Sequence, residues 1–130
     1  MRLAPTYPLQ TERLLLRPLT PADVDDVHAY QSLDEVCAFL PYEPRSREEI
    51  EKRLGDPQFT RTELDAEGQV LILGLELKET GRVVGDALLM FHSEKHRSGE
   101  LGYELHPDVW GRGLAVEAGR AVLRLAFEDL

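Results

Sequence analysis

Trp110-Gly111-Arg112-Gly113-Leu114-Ala115-Val116-Glu117-Ala118 is the stretch that decides how this chain folds. It joins a strand-like run, Glu100 to His106, to an apolar helix that runs toward the C-terminus. Two glycines flank Arg112 where that helix begins. Glycine turns the backbone freely and lets a ligand approach closely. A helix start leaves backbone N–H groups unpaired and carries partial positive charge. The combination predicts a phosphate cradle built from main chain.

Upstream of the cradle the pattern reads as strands. Leu101, Tyr103 and Leu105 alternate with Gly102, Glu104 and His106. Val70 to Lys78 places Leu71, Leu73, Leu75 and Leu77 on one face. Thr80-Gly81 predicts a tight turn, after which Arg82 to Phe91 returns as a third strand. Glu12 to Leu19 reads as the first strand, with Leu14 and Leu16 alternating with Leu15 and Arg17, so that both faces are partly covered. Thr20-Pro21-Ala22-Asp23 then predicts a helix start, with Val24, Val27, His28 and Gln31 on a common face. Ser46-Arg47-Glu48-Glu49 matches a capping box for a short helix that Gly55-Asp56-Pro57 ends near Leu54. Pro41, Pro44 and Pro57 mark residues 33–60 as a surface excursion.

Downstream, Leu114, Ala118, Val122 and Leu125 form one apolar stripe, and Val116, Leu123, Phe127 and Leu130 another. Glu117, Arg120, Arg124 and Glu128 share a narrow charged face, so the helix is expected to be largely buried. Its end, Glu128-Asp129-Leu130, has acids where the macrodipole prefers bases, and no Gly or Asn follows as a cap. The order β-α-α-β-β-β-α predicts an α+β domain, a mixed, mainly antiparallel sheet flanked by helices.

The chain is 130 residues long, enough for one small domain or part of one, and 42% apolar and 30% charged residues make a globular mixture. Twenty-four acids against 15 bases give a net charge of −9, which argues against nucleic acid as a partner. That charge suits a cationic amine substrate, although a solvated acidic surface explains it more simply. A single cysteine, Cys37, excludes an intrachain disulfide and reads as a small core or surface residue. No apolar run is long enough to span a membrane, so no membrane association is expected. Met1 to Gln10 lacks a hydrophobic signal region, so the cytoplasm is the expected location.

A dinucleotide fingerprint needs three spaced glycines near a first parallel strand, and a P-loop needs Gly-Lys-Ser/Thr; neither is present. The chain resembles the GNAT family of acetyl-CoA-dependent N-acetyltransferases, in the branch of ribosomal-protein N-terminal acetyltransferases. Four stretches carry the resemblance: Thr11 to Arg17 (TERLLLR), Thr80 to Gly85 (TGRVVG), Leu101 to Pro107 (LGYELHP) and Trp110 to Ala118. It runs from about residue 10 to the end, and residues 101–118 are its specific part.

The family's pyrophosphate motif is Gln/Arg-x-x-Gly-x-Gly/Ala. Gly113 and Ala115 fill its last two positions, and Trp110 stands where Gln or Arg is usual. The resemblance implies that N–H groups from Gly111, Arg112, Gly113, Leu114 and Ala115 hold the pyrophosphate of acetyl-CoA. It implies too that the Leu105 backbone pairs with the pantetheine arm as an added strand does. Arg112 reads either as a phosphate contact or as a solvated residue at the helix start.

Such chemistry needs a base to take a proton from an amine acceptor, a protein N-terminus or a small molecule. A strand N–H can stabilise the oxyanion, and no covalent intermediate is required. Glu100 and Glu104, four apart on one strand face, are the candidate bases. Taken alone, each reads as a solvent-facing glutamate on a half-exposed strand. Glu117 reads as structural and Tyr103 as a core aromatic. His92, His96 and His106 lack a clean ligand spacing, so no metal is expected.

Family members continue past this helix with further strands that complete the cofactor slot. The resemblance therefore implies a single N-acetyltransferase domain over residues 1–130, incomplete at its C-terminus or completed by another chain, and a homodimer stays open. A non-catalytic CoA-binding module and an unrelated phosphate-binding domain are the competing readings.

Overall fold

The computed structural model describes residues 2–38, 40–93 and 98–129. The expectations for His96 and Leu130 lie outside them. Five described strands form one antiparallel sheet in chain order: β1 (Leu9–Gln10), β2 (Leu14–Pro18), β3 (Val70–Leu77), β4 (Val83–Ser93) and β5 (Ser98–Leu105). The helices are α1 (Val24–Gln31), α2 (Asp34–Cys37), α3 (Arg47–Leu54) and α4 (Leu114–Asp129). The α+β expectation holds, and every described strand pairing is antiparallel.

Alternation along β3 divides the core. Leu71, Leu73, Leu75 and Leu77 join Leu14 and Leu16 of β2 and Leu114, Ala118, Val122 and Leu125 of α4 in one buried cluster. Ile72, between them, faces the other cluster, built from Leu19, Val27, Tyr30, Ile50 and Leu54 of the α1–α3 side. Helices therefore cover both faces of the sheet. The helix α3 starts at the expected capping box: Ser46 Oγ accepts from Glu49 N–H at 3.2 Å, and Glu49 accepts from Ser46 N–H at 3.0 Å.

Three expectations change. The strand expected over Glu12 to Leu19 is β2 and begins at Leu14, after the unexpected short strand β1, because residues 11–13 turn from β1 into β2 and Thr11 N–H donates to Leu14 O at 2.9 Å. Among the described side chains of α4, the stripe of Leu114, Ala118, Val122 and Leu125 is buried while Val116 is 58% and Leu123 44% exposed, since the sheet meets a single side of the helix; the expectation for Phe127 lies outside them. Tyr103 is 56% exposed rather than core, because its face of the edge strand β5 opens into a cleft.

Candidate active site

After β5 the chain makes a 3₁₀ turn over Pro107–Val109, then enters the glycine-flanked segment. Both glycines lie at positive φ, 76° for Gly111 and 75° for Gly113, which an L side chain rarely adopts. A Cβ at Gly111 would meet nothing within 4 Å, so the loop presents bare main chain to open space. Gly113 O accepts from Glu117 N–H at 3.1 Å and starts the helical ladder. The N–H groups of the first turn of α4 lie ahead of that ladder and are free for an anion.

The loop is held from outside. Arg13 Nη1 donates to Arg112 O at 2.7 Å, while Arg13 Nε donates to Glu117 Oε1 at 2.8 Å. Glu117 Oε2 also accepts from Thr11 Oγ1 at 2.5 Å and from Arg13 N–H at 2.8 Å. Burial alone would push the Glu117 carboxyl up, but these hydrogen bonds outweigh it and hold it below the usual range. The structural reading of Glu117 stands.

Trp110 is half-exposed, and its indole N–H donates to Leu105 O at 2.9 Å. The donor at this motif position therefore binds the loop to the end of β5. His106 N–H donates to Val84 O at 2.7 Å, so by strand alternation the Leu105 N–H points away from β4, out of the open sheet edge. A cleft of about 470 Å³ lies along this edge. Trp110, Gly111, Gly113, Leu114 and Ala115 line one side, and Glu35, Val36 and Leu40 line another. Tyr103, Glu104 and Leu105 line the wall between. Main-chain donors, an open strand edge and this volume fit a phosphorylated cofactor with an extended arm.

Glu104 is 9% exposed, against the solvent-facing reading. Its face of β5 lies beneath the α1–α2 side of the sheet, where Gln31 Nε2 donates to Oε1 at 2.6 Å. The Tyr42 hydroxyl donates to Oε2. Directly across the β4–β5 ladder stands Asp86, 6% exposed. Asp86 Oδ2 accepts from Tyr30 OH at 2.7 Å and, longer, from Gln31 Nε2 at 3.4 Å. Burial pushes the Glu104 carboxyl up to about 7, against the Gln31 hydrogen bond. Burial likewise raises Asp86 to about 6, against hydrogen bonds from Tyr30 and Gln31 and the charges of Arg45 and Arg53.

Of the two candidate bases, only Glu104 lines this cleft. Glu100 is exposed, and its Oε2 lies 3.1 Å from His92 Nε2. Cys37 is buried, in keeping with a core residue. His106 Nδ1 accepts from Asp108 N–H at 3.0 Å, and no group of metal-ligating side chains occurs among the described residues. Sequence reading missed Tyr30, Tyr42, Arg45 and Asp86. Tyr42 and Arg45 fall in the segment taken for a surface excursion, yet they reach back into the site. One legible signal was passed over, the aspartate inside the apolar strand run Val83-Val84-Gly85-Asp86-Ala87-Leu88-Leu89.

No helix among the described residues is long and apolar enough to cross a membrane. An acetyltransferase (GNAT) domain model matches residues 13–130. The uncharacterized N-acetyltransferase YoaA of Bacillus subtilis (strain 168) is 33% identical over 122 residues, covering 94% of this chain and 67% of that protein. A GNAT-family acetyltransferase from Bacillus anthracis superposes with a TM-score of 0.76 at 23% identity, over 93% of this chain and 66% of that one. RimL, a ribosomal L7/L12 alpha-N-protein acetyltransferase in complex with coenzyme A, gives 0.69 at 17% identity, over 92% and 66%. The chain spans about two thirds of the length of these relatives. It belongs to the GNAT acetyltransferase family.

Proposed function

We propose that this chain carries the acetyl-CoA seat and the general base of an N-acetyltransferase that acts on a primary amine by direct attack. One observation carries the reading: a single cleft brings the main-chain cradle at 111–115 and the buried carboxylate of Glu104 to the same strand edge. The N–H groups of the cradle hold the pyrophosphate, and the Leu105 N–H pairs with the pantetheine arm. Acetyl-CoA supplies the thioester. Glu104 accepts the amine proton as nitrogen bonds to the carbonyl carbon; the C–S bond then breaks, the electron pair leaves on sulfur, and the proton returns from Glu104, directly or through water, to give the free thiol.

A carboxyl that titrates near 7 suits this task. It is half ionised near neutral pH and is a stronger base than an ordinary glutamate. An α-amine, with a pKa of about 8, is an easier acceptor than a lysine at about 10.4. Protein N-termini and small-molecule amines are the acceptor classes.

Calorimetric titration with acetyl-CoA, and separately with ATP, tests the cradle. Binding of acetyl-CoA that Gly113→Val abolishes supports it; no binding, or equal binding of ATP, overturns it. Thiol release with an N-terminal peptide or a polyamine tests the transfer, and Glu104→Gln should slow it at least a hundredfold, within the usual range for losing a general base. Binding without thiol release would leave a CoA-binding module.

A further inference from the structure

Gln31 meets both buried carboxylates with one amide group. Its Nε2 lies 2.6 Å from Glu104 Oε1 and 3.4 Å from Asp86 Oδ2. A glutamine can present either its oxygen or its NH₂ to a neighbour, and its partners decide which. Here Arg45 decides. Arg45 Nη1 donates to Gln31 Oε1 at 3.0 Å, and a guanidinium has no acceptor to offer an NH₂ group. Arg45 is fixed in turn, because its own N–H donates to Gln31 O at 3.0 Å and its guanidinium stacks 3.6 Å from the centre of the Tyr42 ring. The amide therefore has its two N–H groups, and nothing else, to turn toward the acids.

Asp86 and Glu104 are direct cross-strand partners, an arrangement that disfavours two like charges. Other groups also face this pair. Tyr30 of α1 donates to Asp86, and Cys37 of α2 is close enough to feel the Glu104 charge. Tyr42 donates to Glu104, and the charges of Arg45 and, from α3, Arg53 act on Asp86. On the cleft side stands Glu35. Among these, the described donors to Glu104 are Gln31 and Tyr42, and only Gln31 reaches both acids.

We infer that Gln31 is a positioning residue for the base: with its amide locked by Arg45, it holds Glu104 Oε1 and favours the ionised carboxylate beside Asp86. This rests on the reading of Glu104 as base. The hydrogen bond aims the carboxylate and opposes the effect of burial. Without it, the same buried pair would hold its protons to higher pH.

The test follows the Glu104 side-chain carboxyl by carbon NMR against pH, its signal identified by its loss in Glu104→Gln. In the wild type it should titrate near 7. In Gln31→Leu the midpoint should rise by roughly one unit, the size of one hydrogen bond to a charged group. Should that variant fail to fold, Gln31→Asn, which keeps the amide but draws it back by one methylene, gives the same readout. An unchanged midpoint in a folded variant overturns the inference, since a packing role would leave it in place. The acid limb of kcat/KM should move by the same amount, lowering the rate at pH 7 about fivefold and restoring it near pH 9. A Glu104 midpoint that shifts as expected while Glu104→Gln transfers acetyl at the wild-type rate would overturn the base assignment alone.

Discussion

Glu117→Ala tests whether the cradle is held by the β1–β2 turn. The Glu117 carboxylate, 14% exposed, takes three hydrogen bonds, from Thr11 Oγ1, Arg13 N–H and Arg13 Nε. A hydrogen bond to a charged group contributes about 1.5–3 kcal/mol, and three on one carboxylate do not add fully. Arg13 is 40% exposed, so its ion-pair part is screened to about 1 kcal/mol or less. Leaving the Arg13 N–H without its partner costs roughly a further 1–3 kcal/mol. The variant should lose about 3 kcal/mol in all, or roughly 10 °C in melting temperature for a domain of this size.

The pH dependence has a definite sign. The folded Glu117 carboxyl lies below its ordinary value, so its stabilisation is present above the unfolded value and fades as pH falls through the folded one. Urea unfolding of both proteins from pH 7 down to pH 3 should show two curves that converge in acid. Glu117→Gln, able to accept one bond without charge, should fall between them. A loss under about 0.5 kcal/mol at pH 7, or a gap that stays constant into acid, would refute this account of the clamp.

Gly85→Ala should cost about 1–3 kcal/mol and slow transfer beyond what its stability explains. The new Cβ would sit 2.2 Å from Glu104 O and 2.8 Å from Leu105 Cδ2, so β5 must move; unchanged melting and rate would count against this. Leu75→Ala, at a fully buried position of the α4-side core, should cost about 2–5 kcal/mol in urea unfolding, with a loss below 1 kcal/mol as the refuting result. Glu104→Gln should be the more stable protein above pH 7, by up to about 3 kcal/mol. The raised folded carboxyl makes the wild type lose stability as pH rises from the unfolded value to about 7, and the gap should close below about pH 4.5 in paired melts.

The glycine-flanked turn into α4 was legible because its causes are local. Gly111 and Gly113 need positive φ, Leu114 to Leu125 repeats at helical spacing, and Glu100 to His106 alternates. Each signal lies within a few residues of the structure it produces. The surroundings of Glu104 come from sequence-distant partners. Gln31 lies 73 residues away and Tyr42 lies 62 residues away. Alternation correctly put Glu104 opposite Leu105, but alternation says only that two faces differ. It does not say that α1 and the loop after α2 would cover the polar face while Tyr103 opened into the cleft.

Asp86 carries a local signal of its own burial. A carboxylate within seven residues of otherwise apolar or glycine sequence sits on a strand covered by helices, and burial of that charge demands donors. A helix packed on the same face can supply them, and α1 was already expected to carry Gln31 on one face with Val24 and Val27. Once β4 and β5 pair in register, Asp86 and Glu104 stand opposite each other, and a donor that reaches both relieves the pair. The position of Glu104 thus follows from burying two acids on one face as much as from the strand that carries it.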